Sequence, residues 1–515
     1  MQIIKENNLK TTLRVAGGWV RDKLMGKESM DIDIALDDMF GEEFAKMINE
    51  KLHPDGAKKF GVIKSNSEKS KHLETATLRI HGVMIDLVNL RSEKYTEESR
   101  VPTIDIGTPE EDAYRRDLTI NSLFYNINEQ KVEDFTQRGI QDLKDGIIRT
   151  PLEPLQTFLD DPLRVMRTVR FATRFDFKIL DEIYDAAKDP RVQVAFSQKV
   201  TYERLGKEMD LMLLDRHPSN SIEYLYNFGI IQSLYKLPTS CKELTDDLLV
   251  KKHIFESLKL CQVLGALFII LRQQQGIVNF AGFNYSVSSE GDDNGKILEQ
   301  FKEFQKNTFY AALLLPFYPY DYPAKNNKLD KVINKVMFDS LKKSNEVMKF
   351  VQQTLPHIDQ AKQYSDQVSQ LDSLDEDLKL KLGLYLREAG FRWDSINLIV
   401  ISQEYYNNFI KSQVDNGDLT QIQTLIDQQG LQSIIQKYQH LNQVIEKESL
   451  RETHLLRSLL DGKDVCELYK IKPGKSLKFI LEEQIKRQIT HPETTFDMMK
   501  EYLLEKKDEF LQKYQ

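Results

Sequence analysis

Leu13-Arg14-Val15-Ala16-Gly17-Gly18-Trp19-Val20-Arg21-Asp22, followed by Asp31-Ile32-Asp33-Ile34-Ala35-Leu36, is the stretch whose reading decides the fold. Leu13–Ala16 reads as a short strand running into two glycines, and Val20–Met25 as the start of a helix. A glycine turn that opens a helix presents backbone N–H groups to a phosphate. Ile32 and Ile34 flank the two carboxylates, so Asp31–Asp33 reads as a second strand, on which positions i and i+2 share a face. Two acids on one face can hold divalent cations at a spacing suited to phosphoryl transfer. Alone, a Gly-Gly pair is usually a turn and an Asp-x-Asp a solvated strand face. In this order, with a helix-length gap, they make a unit for handling a nucleoside triphosphate with two metals. No Gly-x-x-x-x-Gly-Lys-Ser/Thr pattern occurs, so a P-loop is not the route to the nucleotide.

At 515 residues the chain is too long for one core, and three or more domains or subdomains are expected. Hydrophobic residues make up 41% and charged residues 29%, an ordinary soluble composition. The net charge of -8 gives no global attraction for nucleic acid, so a basic surface has to be local. Cys241, Cys261 and Cys466 are too scattered for a metal-ligand cluster and suit free thiols in a reducing compartment. No run of eighteen apolar residues is present, so neither a membrane span nor a membrane partner is expected. Met1–Asn8 reads as neither a signal nor an obvious transit peptide, which points to an intracellular protein.

Residues from about 10 to 150 alternate strand-like and helix-like stretches. Leu73–Ile80 and Val83–Leu90 read as strands joined by a His81-Gly82 hairpin turn. After Pro151 and Pro154 the character changes, and from Asp160 onward the period is almost entirely helical. Asn284–Asn294 reads as a loop, Pro316–Asn327 as a second break, and Lys472-Pro473-Gly474-Lys475 as a turn between two late helices.

Three further groups carry chemistry. Asp86 lies within the apolar strand Met84–Leu90, where a third carboxylate serves as a metal ligand or as a base for a hydroxyl nucleophile; ending a strand or pairing with an Arg is the plain alternative. Arg116, Asp117 and Asn121 fall within two helical turns: Arg can grip a triphosphate, and Asp and Asn can hold ribose hydroxyls. Alone, a helix terminus laced by its own ion pairs is the favoured reading there. In Asp160-Asp161-Pro162-Leu163-Arg164-Val165-Met166-Arg167-Thr168-Val169-Arg170, proline stands in a first helical turn with Asp161 as cap. Asp161, Arg164, Arg167 and Arg170 then recur every third residue along one face. An Asp and an Arg so placed present acceptor and donor to a base edge. Three arginines without intervening acids repel one another unless an anion binds.

These segments resemble the class II tRNA nucleotidyltransferases, the CCA-adding enzymes, and most closely their eukaryotic members. The matching motifs are LRVAGGWVRDKLMG with DIDIAL, HLETATLRIHGVMIDLVNLRSEKYT, GTPEEDAYRRDLTINSLFYNI, VEDFTQRGIQDLKDGIIRTPL, TFLDDPLRVMRTVRFATRF and VTYERLGKEMDLML, continuous over roughly residues 10–215. FYAALLLPFYPYDYP and LLDGKDVCELYKIKPGKSLKFILEEQ resemble the C-terminal parts of such enzymes. The resemblance implies a polymerase-β-like α/β head with a mixed five-stranded sheet, followed by an all-α neck, body and tail. The expected boundaries are residues 1–152 for the head, 153–215 for the neck, 216–345 for the body and 346–515 for the tail.

It further implies that Asp31 and Asp33 bind two Mg²⁺ ions, with Asp86 beside them, and that Gly17, Gly18 and Arg21 contact the triphosphate. Arg116, Asp117 and Asn121 would hold ribose and phosphate. Asp161 and Arg164 would read the Watson–Crick edge of CTP or ATP, Arg167 and Arg170 would complete the nucleotide site, and Glu203 and Arg204 would buttress the templating helix. The residue before Asp161 is usually Glu in bacterial members and is Asp160 here. The expected activity is template-independent addition of C, C and A to the tRNA 3′ end, with the acceptor stem and elbow gripped by body and tail. The protein would be a monomer or homodimer of the cytoplasm, with nucleus and mitochondrion as further compartments. A bacterial-type poly(A) polymerase, an enzyme adding only CC or only A, and a non-catalytic tRNA-binding descendant are the alternatives. Residues 37–72 look long enough to hold the loop that supports A addition.

Overall fold

The structure, a computed structural model, describes residues 1–53, 61–63, 75–96, 99–273, 293–324, 328–413, 422 and 425–512. Residues 284–292 of the expected Asn284–Asn294 loop, and residues 54–60 and 64–72 of the expected 37–72 segment, lie outside the described residues, while Asp293 and Asn294 begin a helix. The chain divides into two compact units, Met1–Lys236 with Asp339–Lys342, and Leu237–Phe338 with Lys343–Gln515.

The first unit opens on helix α1 (Gln2–Glu6), strand β1 (Leu13–Ala16), helix α2 (Gly18–Leu24), strand β2 (Ile32–Leu36) and helix α3 (Gly41–Leu52). Strands β3 (Gly61–Ile63), β4 (Thr75–Ile80) and β5 (Val83–Asn89) follow, with a separate hairpin of β6 (Arg91–Thr96) and β7 (Ser99–Ile106). Helix α4 (Pro109–Tyr114), strands β8 (Phe124–Asn126) and β9 (Lys131–Glu133) and helix α5 (Gly139–Asp145) complete the head. Its sheet has seven strands in the order β3-β4-β5-β2-β1-β8-β9, not the five expected. The two outermost strands, β3 and β9, have three residues each, too short to show a period in the sequence. The β6–β7 hairpin was likewise not anticipated.

Alternation along the strands builds two cores. Leu13, Leu36, Ala76, Leu78 and Leu87 pack with Phe44 and Ala45 of α3 on one face. Ala16, Ala35 and Phe124 pack with Leu90 and Ala113 on the other. The β4–β5 turn is the expected two-residue hairpin: His81 (φ 48°) and Gly82 (φ 87°) both adopt left-handed backbone, as a type I′ turn requires.

Beyond the head the first unit is helical: α6 (Pro154–Asp160), α7 (Arg164–Phe175), α8 (Asp181–Lys188), α9 (Pro190–Lys199), α10 (Tyr202–Leu213) and α11 (Pro218–Asn227). The compact unit runs on to Lys236 and so includes α11. Helix α7 packs on α10 and α11 and buries Val165, Met166, Val169 and Ala172. Gly206 of α10 lies against the Leu341 carbonyl, a contact that leaves no space for a Cβ.

The second unit is built around the helix Asp247–Gln273, packed against Asp293–Leu314 and Trp393–Tyr405. By length and composition alone its best stretch, of mean hydropathy 1.9, could cross a membrane, but 67% of it is buried inside the protein, as in a core helix. Scattered polar residues break any continuous apolar run while leaving the average high. A last cluster of Val465, Tyr469, Ile480, Met499 and Leu503 joins the helices on either side of the expected Lys472–Lys475 turn.

Candidate active site

The acidic group is set by strand pairing. β2 and β5 run parallel with Asp33 directly beside Asp86, and Asp31 stands one residue before β2. Thr77 of β4, opposite Asp86, donates to its Oδ1 at 2.6 Å. Burial, and then the charges of Asp31 and Asp86, push the Asp33 carboxyl up to about 6, with Arg116 and Arg91 opposing. Crowded carboxylates of this kind are relieved by a divalent cation. Among the described residues no three His, Cys, Asp or Glu side chains form a ready-made metal centre. Carboxylate oxygens are the donors a hard cation such as Mg²⁺ takes.

The glycine turn lies beside the acids. Gly17 caps α2 with φ 70°, and a Cβ there would sit 2.6 Å from the Arg116 guanidinium. Gly18 begins the helix. Arg116 bonds Asp112 at 2.7 Å, donates to the Asn121 carbonyl at 3.2 Å and lies over the Phe124 ring. Asp112 is buried and also pairs with Arg115, so the ion-paired helix end is real, although α4 stops at Tyr114 and Arg116–Asn121 is a turn and a 3₁₀ segment, not two helical turns.

Arg21 is placed differently from the expectation. It is buried, bonded to Asp22 and Asn121, and packed against the neighbouring rings of Phe171 (4.9 Å) and Phe175 (4.8 Å). It ties α2 of the head to α7 of the neck instead of standing open to a triphosphate.

The arginine series of α7 meets acids from other elements. Arg167 donates to Asp117 at 2.7 Å, and Arg170 to Glu208 at 2.7 Å, with Arg167 3.7 Å from the same Glu208. Burial opposes the charge on Asp117, yet Arg167, Asn121 and Arg164 hold its carboxyl down at about 2. Arg164 is buried and donates to the Arg115 carbonyl at 2.5 Å. Asp161 accepts from the Leu163 amide at 3.2 Å and pairs with Arg204 at 2.6 Å, so it caps the tight turn before α7, which begins two residues later than Pro162 suggested. The repulsion expected among the three arginines is thus answered by Asp117 and Glu208.

Glu203 is not part of this network: its side chain is 70% exposed and 3.9 Å from Lys342. Glu208 holds the helix instead. The signal for it was present: Leu205, Glu208, Met209 and Met212 form one i, i+3, i+4, i+7 stripe, and a carboxylate on an apolar face implies a buried cation partner.

A mixed sheet bearing paired acids, a glycine turn and a neck helix lined with arginines defines a polymerase-β-like nucleotidyltransferase. Residues 13–149 match the family described as the Poly A polymerase head domain. The mitochondrial CCA tRNA nucleotidyltransferase of Saccharomyces cerevisiae is 36% identical over 94% of this chain and 86% of its own length. The tRNA nucleotidyltransferase cca1 of Schizosaccharomyces pombe is 34% identical over 96% of this chain and 91% of its own. The Bacillus stearothermophilus CCA-adding enzyme in complex with CTP shares the fold, with a TM-score of 0.58 at 15% identity over 99% of this chain and 97% of that one. The chain belongs to the CCA tRNA nucleotidyltransferase family.

Proposed function

We propose that this enzyme completes tRNA 3′ ends by adding C, C and A from CTP and ATP. The observation that carries the reading is the Asp33–Asp86 register beside Asp31 and the glycine turn, on the same unit as the Asp161–Arg170 helix face. Asp31 and Asp33 would hold Mg²⁺, which when bound supplies charge neutralisation at the triphosphate and acidifies the attacking 3′-hydroxyl. Asp86, held by Thr77, sets the electrostatic crowding that favours the cation. Gly17 keeps the turn open for the triphosphate, and Arg116, fixed by Asp112, faces it. Asp117 orients Arg167 and acts on the nucleotide through it, while Asn121 holds Asp117 and Arg21 in place.

For base choice, Asp161 exchanges Arg204 for the incoming base and acts with Arg164; a wrong base leaves buried donors and acceptors unpaired, at about 1–3 kcal/mol each. Arg170, locked to Glu208, positions the helix. The same reading divides the chain into head, neck, body and tail at the boundaries given above, with body and tail gripping the acceptor stem and elbow through backbone and shape. The yeast relative's mitochondrial designation supports the mitochondrion as one compartment of this intracellular protein.

The test is primer extension on tRNA lacking its 3′ end, with CTP, ATP or both, for wild type and Asp31→Ala/Asp33→Ala. CC with CTP and CCA with both, lost in the double variant, is the expected result. The head's likeness to poly A polymerases makes long A tails the outcome that would displace this reading, and arrest at CC would restrict it to CC addition.

A further inference from the structure

We propose that the second unit carries a pocket for one unstacked nucleobase of the RNA substrate, with Phe391 as its stacking platform and Asn307, Asp394, Arg451 and His454 at the base edge. The proposal rests on the reading of the chain as a tRNA enzyme and adds to it a base contact away from the head and neck.

The cavity has a volume of about 410 Å³, within the range of small-ligand sites. Its walls come from the helices Asp293–Leu314, Asn345–Thr354 and Trp393–Tyr405, and from the segment Arg451–His454. Each wall is held. Gly390, at φ 58°, ends the helix Glu376–Ala389 and turns the chain so that Phe391 stands 70% exposed. Arg392 lies 5.0 Å over the Phe391 ring and is anchored to the Glu388 carbonyl at 2.7 Å. Trp393 is buried beneath, its indole N–H donating to Asn442 at 2.9 Å. Arg387 pins the segment that carries His454 by donating to the carbonyls of Thr453 (2.7 Å) and Leu456 (2.9 Å).

The polar lining identifies the occupant. Asn307 Oδ1 and His454 Nδ1 are buried and have no hydrogen-bond partner, whereas buried polar atoms are as a rule satisfied. Asp394 is partly buried against Arg451 at 3.0 Å, and loss of solvent pushes its carboxyl up to about 7, so it can present either a donor or an acceptor near neutral pH. A phosphate here would face Asp394 and Glu452, and a purely apolar ligand would leave Asn307 and His454 unanswered. A flat heterocycle with donors and acceptors on its edge satisfies both and stacks on an exposed aromatic ring, the way proteins read single-stranded RNA bases.

The experiment uses the full chain and an unmodified tRNA transcript. Phe391→Ala, at an exposed position, is expected to weaken tRNA binding and raise KM for tRNA roughly tenfold, since a stacked base loses about a factor of ten or more with its aromatic platform. kcat at saturating tRNA and KM for CTP stay unchanged, and Phe391→Trp restores binding. In a scan of tRNAs with single abasic positions, one position costs the wild type the same factor and costs Phe391→Ala nothing further. Binding of Phe391→Ala within twofold of wild type, or abasic losses that multiply with the variant's at every position, would overturn the pocket while leaving CCA addition intact. A wild type that neither binds nor extends tRNA would remove the functional reading itself, and the pocket with it.

Discussion

Glu208→Ala tests whether the arginine face of α7 is held from behind. Glu208 is buried and accepts from Arg170 at 2.7 Å, with Arg167 3.7 Å away. Removing it leaves Arg167 its 2.7 Å bond to Asp117, and that side chain is 34% exposed, so its share of the loss is screened. Arg170, with a side chain only 9% exposed, keeps the Phe171 ring at 4.2 Å, worth about 0.5–2 kcal/mol. Removing one partner of a buried pair costs about 3–5 kcal/mol, and the surviving ring contact puts this case at the lower end, about 3 kcal/mol. For a unit of this size that is a fall of roughly 6–12 °C in Tm. Glu208→Gln keeps the shape and one acceptor and is expected to lose about half as much. Glu203→Ala is the control: with a side chain 70% exposed it should stay within about 0.5 kcal/mol of wild type. Urea and thermal unfolding followed by circular dichroism give the stabilities, and incorporation of CTP and ATP against UTP and GTP gives selectivity, which should fall with Glu208 alone. Indistinguishable melting of the Glu208→Ala and Glu203→Ala proteins would refute the reasoning.

Other perturbations follow from the same structure. Asp33 takes up a proton near pH 6 and its ionised form is the one that binds a cation, so Mg²⁺ affinity should fall about tenfold per unit as pH drops below about 6, measured by titration calorimetry with a nucleotide. The same raised value costs stability once the unfolded chain ionises near 3.8: nothing below that, and the full cost above about 6. Metal-free Asp33→Asn should therefore be inactive yet more stable than wild type at pH 7–8, by up to about 3 kcal/mol, with the gain shrinking as pH falls toward 4; equal melting across that range would contradict it. Gly206→Ala forces a Cβ against the Leu341 carbonyl and should cost about 2 kcal/mol or more in a denaturant titration, as overpacking against backbone does. Arg21→Met should keep the fold of the head but lose the double ring contact, lowering Tm by several degrees and raising KM for both CTP and ATP.

What the chain discloses before folding depends on whether a partner lies close in sequence. The strand, glycine turn and Asp31–Asp33 pair are local, and their two periods can be read directly. So can the His81-Gly82 hairpin and the three-residue spacing of Arg164, Arg167 and Arg170. Period tells which face a side chain occupies and says nothing of what arrives from elsewhere. Asp117 and Glu208 reach the α7 arginines from 50 and 38 residues away, which is why the arginine row looked like an unpaired cationic face. Arg21 sits in a motif that suggests phosphate, yet two phenylalanines some 150 residues on claim it. The cavity around Phe391 joins residues 307, 391 and 454, a constellation with no local pattern at all.

The packing of Arg21 against Phe171 and Phe175 has a mechanical consequence. One residue of the glycine-turn helix is held by α7, the helix proposed to read the base. Head and neck then behave like the two jaws of a caliper whose pivot is a single guanidinium. On the function proposed above, a shift that widened the gap for an oversized base would also displace the turn that receives the triphosphate, so that discrimination and catalysis would fail together for the wrong nucleotide.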